Sequence, residues 1–137
     1  MNEPNEVTAE DVKPAIEKPP VSFSDERGYI KNLLNRPCGG VQVLFSRAGS
    51  KRSSHWHRED GHVLHVLEGM MVYWERPTGS AEPPTKLIVM RGEQVYTGPN
   101  VEHWTHFPVD TTLVSMSDRA RDHEAHEADL VRVEWVP

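Results

Sequence analysis

The chain has 137 residues, 36% of them hydrophobic and 26% charged, proportions that suit one soluble globular core and leave too little for two. No run approaches the roughly 18 consecutive apolar residues of a membrane helix, and Met1–Pro20 has neither the basic start nor the apolar stretch of a secretory signal. The net charge of −6 repels phosphate backbones and anionic lipid, so neither nucleic acid nor membrane is an expected partner. Cys38 is the only cysteine, which precludes a disulfide within the chain and suits a cytoplasmic setting.

In chain order, residues 1–20 contain Pro4, Pro14, Pro19 and Pro20 among scattered charges and few large apolar side chains. They read as an arm, flexible or swapped onto a neighbouring subunit, ahead of one domain over residues 21–137. From Val21 onward, short apolar or alternating runs are broken at close spacing by Gly, Pro, Asp and Ser, which is an all-β rhythm. The predicted strands are Tyr29–Leu34, Val41–Ser46, His55–His57 with its lead-in, His62–Leu67, Met70–Glu75, Lys86–Met90, Gln94–Thr97, Glu102–Phe107, Thr112–Ser117 and Leu130–Trp135. Leu67–Met70 reads as a tight hairpin turning on Gly69, and Pro77–Pro84 as a longer loop. The polar segment Asp118–Ala128 has room for one helical turn before the last strand. Many short antiparallel strands in a chain of this size close most readily into a jelly roll.

Histidine is over-represented, with eight copies against three Phe and three Tyr. Side chains alternate across a strand, so His55 and His57 project from one face, and His62 from the next strand can join them. Three imidazoles meeting inside a barrel need a ligand or a use, and neutral imidazole is a good donor to first-row divalent ions. Downstream, Gly98-Pro99-Asn100 is turn chemistry that swings the chain into a strand with His103 near its start. By parity His65 and His106 face away from the cluster, His65 toward the surface or a subunit contact. His123 and His126 sit in a charged, exposed segment. The four tryptophans read as packing or interface residues. Met71 and Tyr73 share the parity that faces the interior; Tyr73 is an ordinary core residue or a phenol placed to pass a proton.

The spacing Gly49, five residues, His55-x-His57, four residues, His62, six residues, Gly69, followed by Gly92, five residues, Gly98-Pro99-Asn100, two residues, His103, resembles the two motifs of the cupin superfamily. Gly98, Asn100 and Phe107 depart from its usual Pro, Gly and Asn. The resemblance spans about Phe23 to Val133 and implies a double-stranded β-helix, the jelly-roll cupin barrel. It also implies four metal ligands, His55, His57, His62 and His103, with His62 standing where the family usually has Glu. Gly61 has no side chain to offer in its place, and Glu59 and Asp60 are loop carboxylates beside the site. The cofactor so implied is a divalent transition metal such as Mn, Fe, Zn, Ni or Cu. Ser24-Asp25-Glu26-Arg27-Gly28 further resembles the Asp-x-Arg-Gly opening of cupins that epimerise or isomerise nucleotide-linked keto sugars, where the histidines act as proton-transfer bases without a metal.

The expected function is therefore a small metal-binding cupin enzyme that isomerises or epimerises an oxo-sugar or similar polyoxygenated substrate through a metal-stabilised enediolate, with Tyr73 or a water moving the proton. A metal-dependent dioxygenase would use the same four histidines, and a non-catalytic sugar-binding or regulatory cupin is the third reading. Small cupins commonly pair strands across subunits, and Val21–Phe23 offers such an edge, so a homodimer is expected.

Overall fold

The computed structural model describes residues 14–137, so residues 1–13 of the expected arm lie outside the described residues. Those described form strands β1 (Val21–Asp25), β2 (Gly28–Lys31), β3 (Gly40–Ser46), β4 (Ser50–His57), β5 (His62–Glu68), β6 (Met70–Pro77), β7 (Thr85–Met90), β8 (Gln94–Thr97), β9 (Val101–Phe107) and β10 (Thr111–Ser117), then helix α1 (His123–Asp129) and strand β11 (Leu130–Arg132). Among them, no helix is long and apolar enough to cross a membrane.

A sheet ordered β3-β10-β5-β8 and one ordered β11-β4-β9-β6-β7 enclose the core, while β1 and β2 pair only with each other. The core draws on both sheets: Leu64, Val66, Val95 and Leu113 from the first meet Met71, Tyr73, Val89 and Phe107 from the second. Each such side chain contributes about 1.5–3 kcal/mol by leaving water, which is how a chain with few aromatics and no disulfide stays folded. The interior parity expected of Met71 and Tyr73 is observed, since both are fully buried.

Two expectations are corrected. The Leu67–Met70 turn is not a hairpin, because β5 and β6 belong to different sheets. Gly69, at φ 93°, instead carries the chain around the barrel edge against Asp110 and Thr111, and only a residue without Cβ fits so close to that backbone. Residues just ahead of Val21 already meet the barrel. Ile16 already packs against the core, and Glu17 forms a two-way backbone bridge with Gln94. Finally, His65 is buried instead of lying at the surface. Its Nδ1 lies 2.8 Å from Gln94 Oε1, and the Gln94 amide donates to Glu17 Oε2 and to the Leu33 carbonyl. These contacts tie Glu17 and Leu33 to β5 and β8, and the parity argument had no means of placing them there.

Candidate metal centre

Strand β4 carries His55 and His57, and it reaches them through a kink. Ser53 and Ser54 both take positive φ, 68° and 66°, and the register against β9 slips between Ser53 and His55. Backbone of this kind costs roughly 1–3 kcal/mol per residue and re-aims the side chains that follow. Ser54 Oγ donates to the Val133 carbonyl at 2.8 Å and holds the kink in place. Beyond it, His55 stands directly across from His103 of β9. The turn into β9 is pinned to the same strand, since Asn100, at φ 61°, donates its N–H to the His57 carbonyl at 2.8 Å. His62 arrives from β5 in the other sheet, so the cluster bridges the two layers.

Ring centroids lie 4.6 Å apart for His55 and His103, 4.9 Å for His55 and His57, and 5.6 Å for His57 and His103. One nitrogen from each of these three falls within 4.8 Å of the other two. His57 Nδ1 lies 3.2 Å from Asp129 Oδ2 and His103 Nδ1 lies 3.0 Å from the Val101 carbonyl oxygen. Both partners only accept, so each ring donates through Nδ1–H and keeps its lone pair on Nε2. Those two Nε2 atoms are buried and have no hydrogen-bond partner. A buried orphan of this kind costs about 1–3 kcal/mol, and an ion between the rings would remove the cost. Imidazoles whose opposite N–H is anchored by a carboxylate or a backbone carbonyl are the usual form of metal-binding histidine, so the donor set fits a first-row ion.

Electrostatics keep these rings neutral. Burial lowers His55 to about 2, reinforced by His103 and His57. Burial lowers His103 to about 3, partly opposed by its bond to Val101 and reinforced by His57 and Arg121. His57 is lowered by burial and by Arg121, against the pull of Asp60 and Asp129. The Asp129 carboxyl is raised by burial but lowered more by the N–H groups of Glu59 and Asp60 and by His57, so it stays ionised to lower pH than usual.

His62 joins the cluster, 5.3 Å from His103 and 5.5 Å from His57 by centroid. Its Nδ1 is taken by Arg121 Nη2 at 2.9 Å, and its nitrogens fall outside the group of mutually close donor atoms. Tyr73, the other residue singled out from the sequence, sits in the core. Fully buried, it donates to Glu75 Oε1 at 2.7 Å and meets Thr97 Oγ1 at 2.6 Å, and burial beside Glu75 pushes its phenol well above the usual tyrosine range. It is not among the residues that line the cavity over the cluster.

That cavity holds about 270 Å³, and its walls include His55, His62, Arg52, Ser115, Arg121 and His126. Helix α1, started by Asp122 accepting from the Ala125 N–H, turns His126 inward to 5.6 Å from His57. His126 was expected to be exposed and is half-buried, whereas His123 is exposed as expected. Asp60, expected to be a loop carboxylate, is 3% exposed and central. Arg121, Asp129 and His126 escaped the sequence reading; the signal available was the charge density of Asp118–Ala128, which has no periodicity to say which side chains turn inward. The Asp-x-Arg-Gly stretch closes on itself, Asp25 accepting from the Arg27 backbone at 2.9 Å and from its guanidinium at 2.6 Å, and does not line the cavity. No tryptophan lines it either; Trp104 is buried with its indole N–H on the Glu134 carbonyl, and Trp74 meets Trp135 edge-on.

Two antiparallel sheets closed around a histidine cluster on paired strands define the fold as the jelly-roll barrel of the cupins. No protein-family description matches the chain, and no curated protein matches it either. Among solved structures, it is similar to the sugar 3,4-ketoisomerase QdtA from Thermoanaerobacterium thermosaccharolyticum in complex with TDP, at 16% identity and TM-score 0.70 over 87% of each chain. It is also similar to dTDP-4-dehydrorhamnose 3,5-epimerase from Sulfolobus tokodaii, at 16% identity and TM-score 0.71 over 89% of this chain and 80% of that one. A third similar structure is ChmJ, a 3'-monoepimerase from Streptomyces bikiniensis in complex with dTDP-quinovose, at 17% identity and TM-score 0.73 over 88% of this chain and 69% of that one. At these identities the likeness establishes the fold.

Proposed function

We propose that the chain is a metal-dependent isomerase or epimerase of an oxo-sugar or comparable polyoxygenated small molecule, with a divalent transition metal held by His55, His57 and His103. The observation that carries the proposal is the pair of orphaned Nε2 lone pairs on His57 and His103. A proton-transfer base must reach its substrate, and these two nitrogens are buried without a partner and turned toward each other and His55, so a shared ion would account for them better than a base would. An ion held by these rings beside His55, which lines the cavity, would supply Lewis acidity toward a carbonyl bound there.

The protein supplies the rest. Asp129 and the Val101 carbonyl fix the ring orientations. The cavity, at about 270 Å³, falls just under the roughly 300–1,000 Å³ typical of small-molecule sites, so it takes a sugar ring and leaves a nucleotide outside. His126 lines it as a neutral imidazole, lowered by burial and by Arg121. In the proposed step the C–H proton moves to the His126 lone pair, the C–H electron pair becomes a C=C bond and the carbonyl π pair moves to its oxygen. A water on the opposite face then protonates the same carbon while His126 releases its proton to solvent, giving the epimer. Alternatively, His126 protonates the former carbonyl carbon while the neighbouring hydroxyl passes its proton to the enolate oxygen and becomes the new carbonyl, giving the ketoisomer. The ketoisomerase and epimerases of the same fold support the substrate class.

The same reading places the chain in a homodimer. Val41, Val43 and Phe45 on edge strand β3 are 63%, 71% and 52% exposed, and a two-stranded hairpin such as β1-β2, with Phe23, Tyr29 and Ile30 exposed, is marginal in water without something to pack on. A second copy supplies a matching apolar surface.

Elemental analysis of protein purified without an affinity tag tests the centre: the wild type carries a transition metal, and His57→Ala and His103→Ala lose it while retaining the β-sheet circular dichroism. Incubation with dTDP-4-keto-6-deoxyglucose in deuterated water tests the chemistry, with deuterium appearing beside the keto group by NMR. A wild type devoid of metal overturns the centre; absence of exchange in metal-loaded protein overturns the substrate class.

A further inference from the structure

A guanidinium has five N–H donors and no acceptor. Because Arg121 Nη2 lies 2.9 Å from His62 Nδ1, that nitrogen must be the acceptor, and the ring hydrogen resides on Nε2. Arg121 is not free to turn away. Asp60 accepts from its Nε at 3.2 Å and from the backbone N–H of Arg119 at 3.0 Å. The Asp60 N–H in turn donates to Asp129 Oδ2 at 3.2 Å, the oxygen that also meets His57. One hydrogen-bonded chain thus runs from His57 through Asp129, Asp60 and Arg121 to His62. Its two ends have opposite character: the carboxylate leaves His57 a lone pair on Nε2, and the guanidinium leaves His62 an N–H there.

We infer that His62 is a hydrogen-bond donor to a substrate oxygen, not a metal ligand, and that Arg121 is the positioning residue that fixes the required tautomer. The inference rests on the proposed carbonyl chemistry and goes beyond it by assigning the group that meets the oxygen. His62 lines the cavity, and Nε2–H is the one polar atom its ring has left to offer there. As the C–H proton leaves, the electron pair gathers on the carbonyl oxygen, and a fixed donor stabilises that charge without reorganising. No proton is transferred at His62; its hydrogen stays on Nε2 while Arg121, behind Nδ1, polarises the ring. A neutral imidazole is suited to this, since it donates without first demanding a proton from solvent. The site therefore selects ligands with an acceptor oxygen, a carbonyl or an enediolate, at the position facing His62.

The test begins with metal-free protein labelled with ¹⁵N-histidine, where imidazole ¹H–¹⁵N correlation reads the tautomer directly and His62→Gln identifies the signal. Hydrogen on His62 Nε2 is expected in the wild type and in Arg121→Lys, which keeps a donor; Arg121→Met loses the fixed tautomer. In metal-loaded protein, His62→Ala retains its ion where His57→Ala does not, and its kcat falls about 10²-fold with little change in KM. His62→Gln recovers part of that loss through its amide N–H. Hydrogen on His62 Nδ1 in the wild type, or metal loss in His62→Ala equal to that in His57→Ala, overturns the inference. A wild type without metal overturns the metal centre alone, since the tautomer is read without an ion. Should Arg121→Met not fold, the wild type and Arg121→Lys still decide the matter.

Discussion

Acidification destabilises the metal-free protein by an amount set by its buried imidazoles. His103 is lowered to about 3 and His55 to about 2 from 6.5, with burial the main cause in each. In the unfolded chain both rings titrate near 6.5. Below that pH the unfolded state takes up protons that the folded state refuses, so the stabilisation is complete above 6.5 and is lost as pH falls toward the folded values. Between about pH 7.5 and 5.5 one such ring costs about 1.4 kcal/mol, and the two together about 3 kcal/mol. Burial pushes His57 and His62 the same way and adds to the loss. Glu75 works in the opposite direction: burial raises its carboxyl above 4.5, so the folded state protonates first and gains stability as pH falls through that window. Urea unfolding of chelator-treated protein at the two pH values, followed by tryptophan fluorescence and fitted with a common slope, measures the difference. A change below about 0.5 kcal/mol would refute the claim that the folded barrel holds these rings neutral.

Replacing Asp129 with Asn removes the carboxylate from His57 Nδ1 and weakens metal binding about 10–100-fold, which calorimetric titration reads; unaltered affinity would mean that the carboxylate does not orient the ring. Gly69→Ala brings a Cβ to 2.5 Å from the Asp110 carbonyl oxygen at φ 93° and costs more than about 1 kcal/mol, seen as a lowered Tm. Val43→Glu puts a charge on the most exposed apolar position of β3 and converts a dimer to a monomer by sedimentation velocity. A wild type that sediments as a monomer contradicts the assembly.

Much of the barrel was legible because side-chain alternation is local. The period-2 runs located most strands within a few residues, put Met71 and Tyr73 inside, and set His55 and His57 on one face. What local pattern could not supply was which elements share a sheet, hence the misread corner at Gly69, or what covers an outer face, hence the buried His65. The histidine cluster was legible too, because motif spacing records which strand positions point inward. Its chemistry was not. Whether a buried imidazole offers a lone pair or an N–H depends on the group behind its other nitrogen, and for these rings that group is Asp129, 72 residues from His57 in sequence, or Arg121, 59 residues from His62. Sequence determined that imidazoles gather at one point; the return of the segment around α1 onto the barrel decided the tautomers of His57 and His62, since a ring hydrogen goes wherever the partner across space cannot donate.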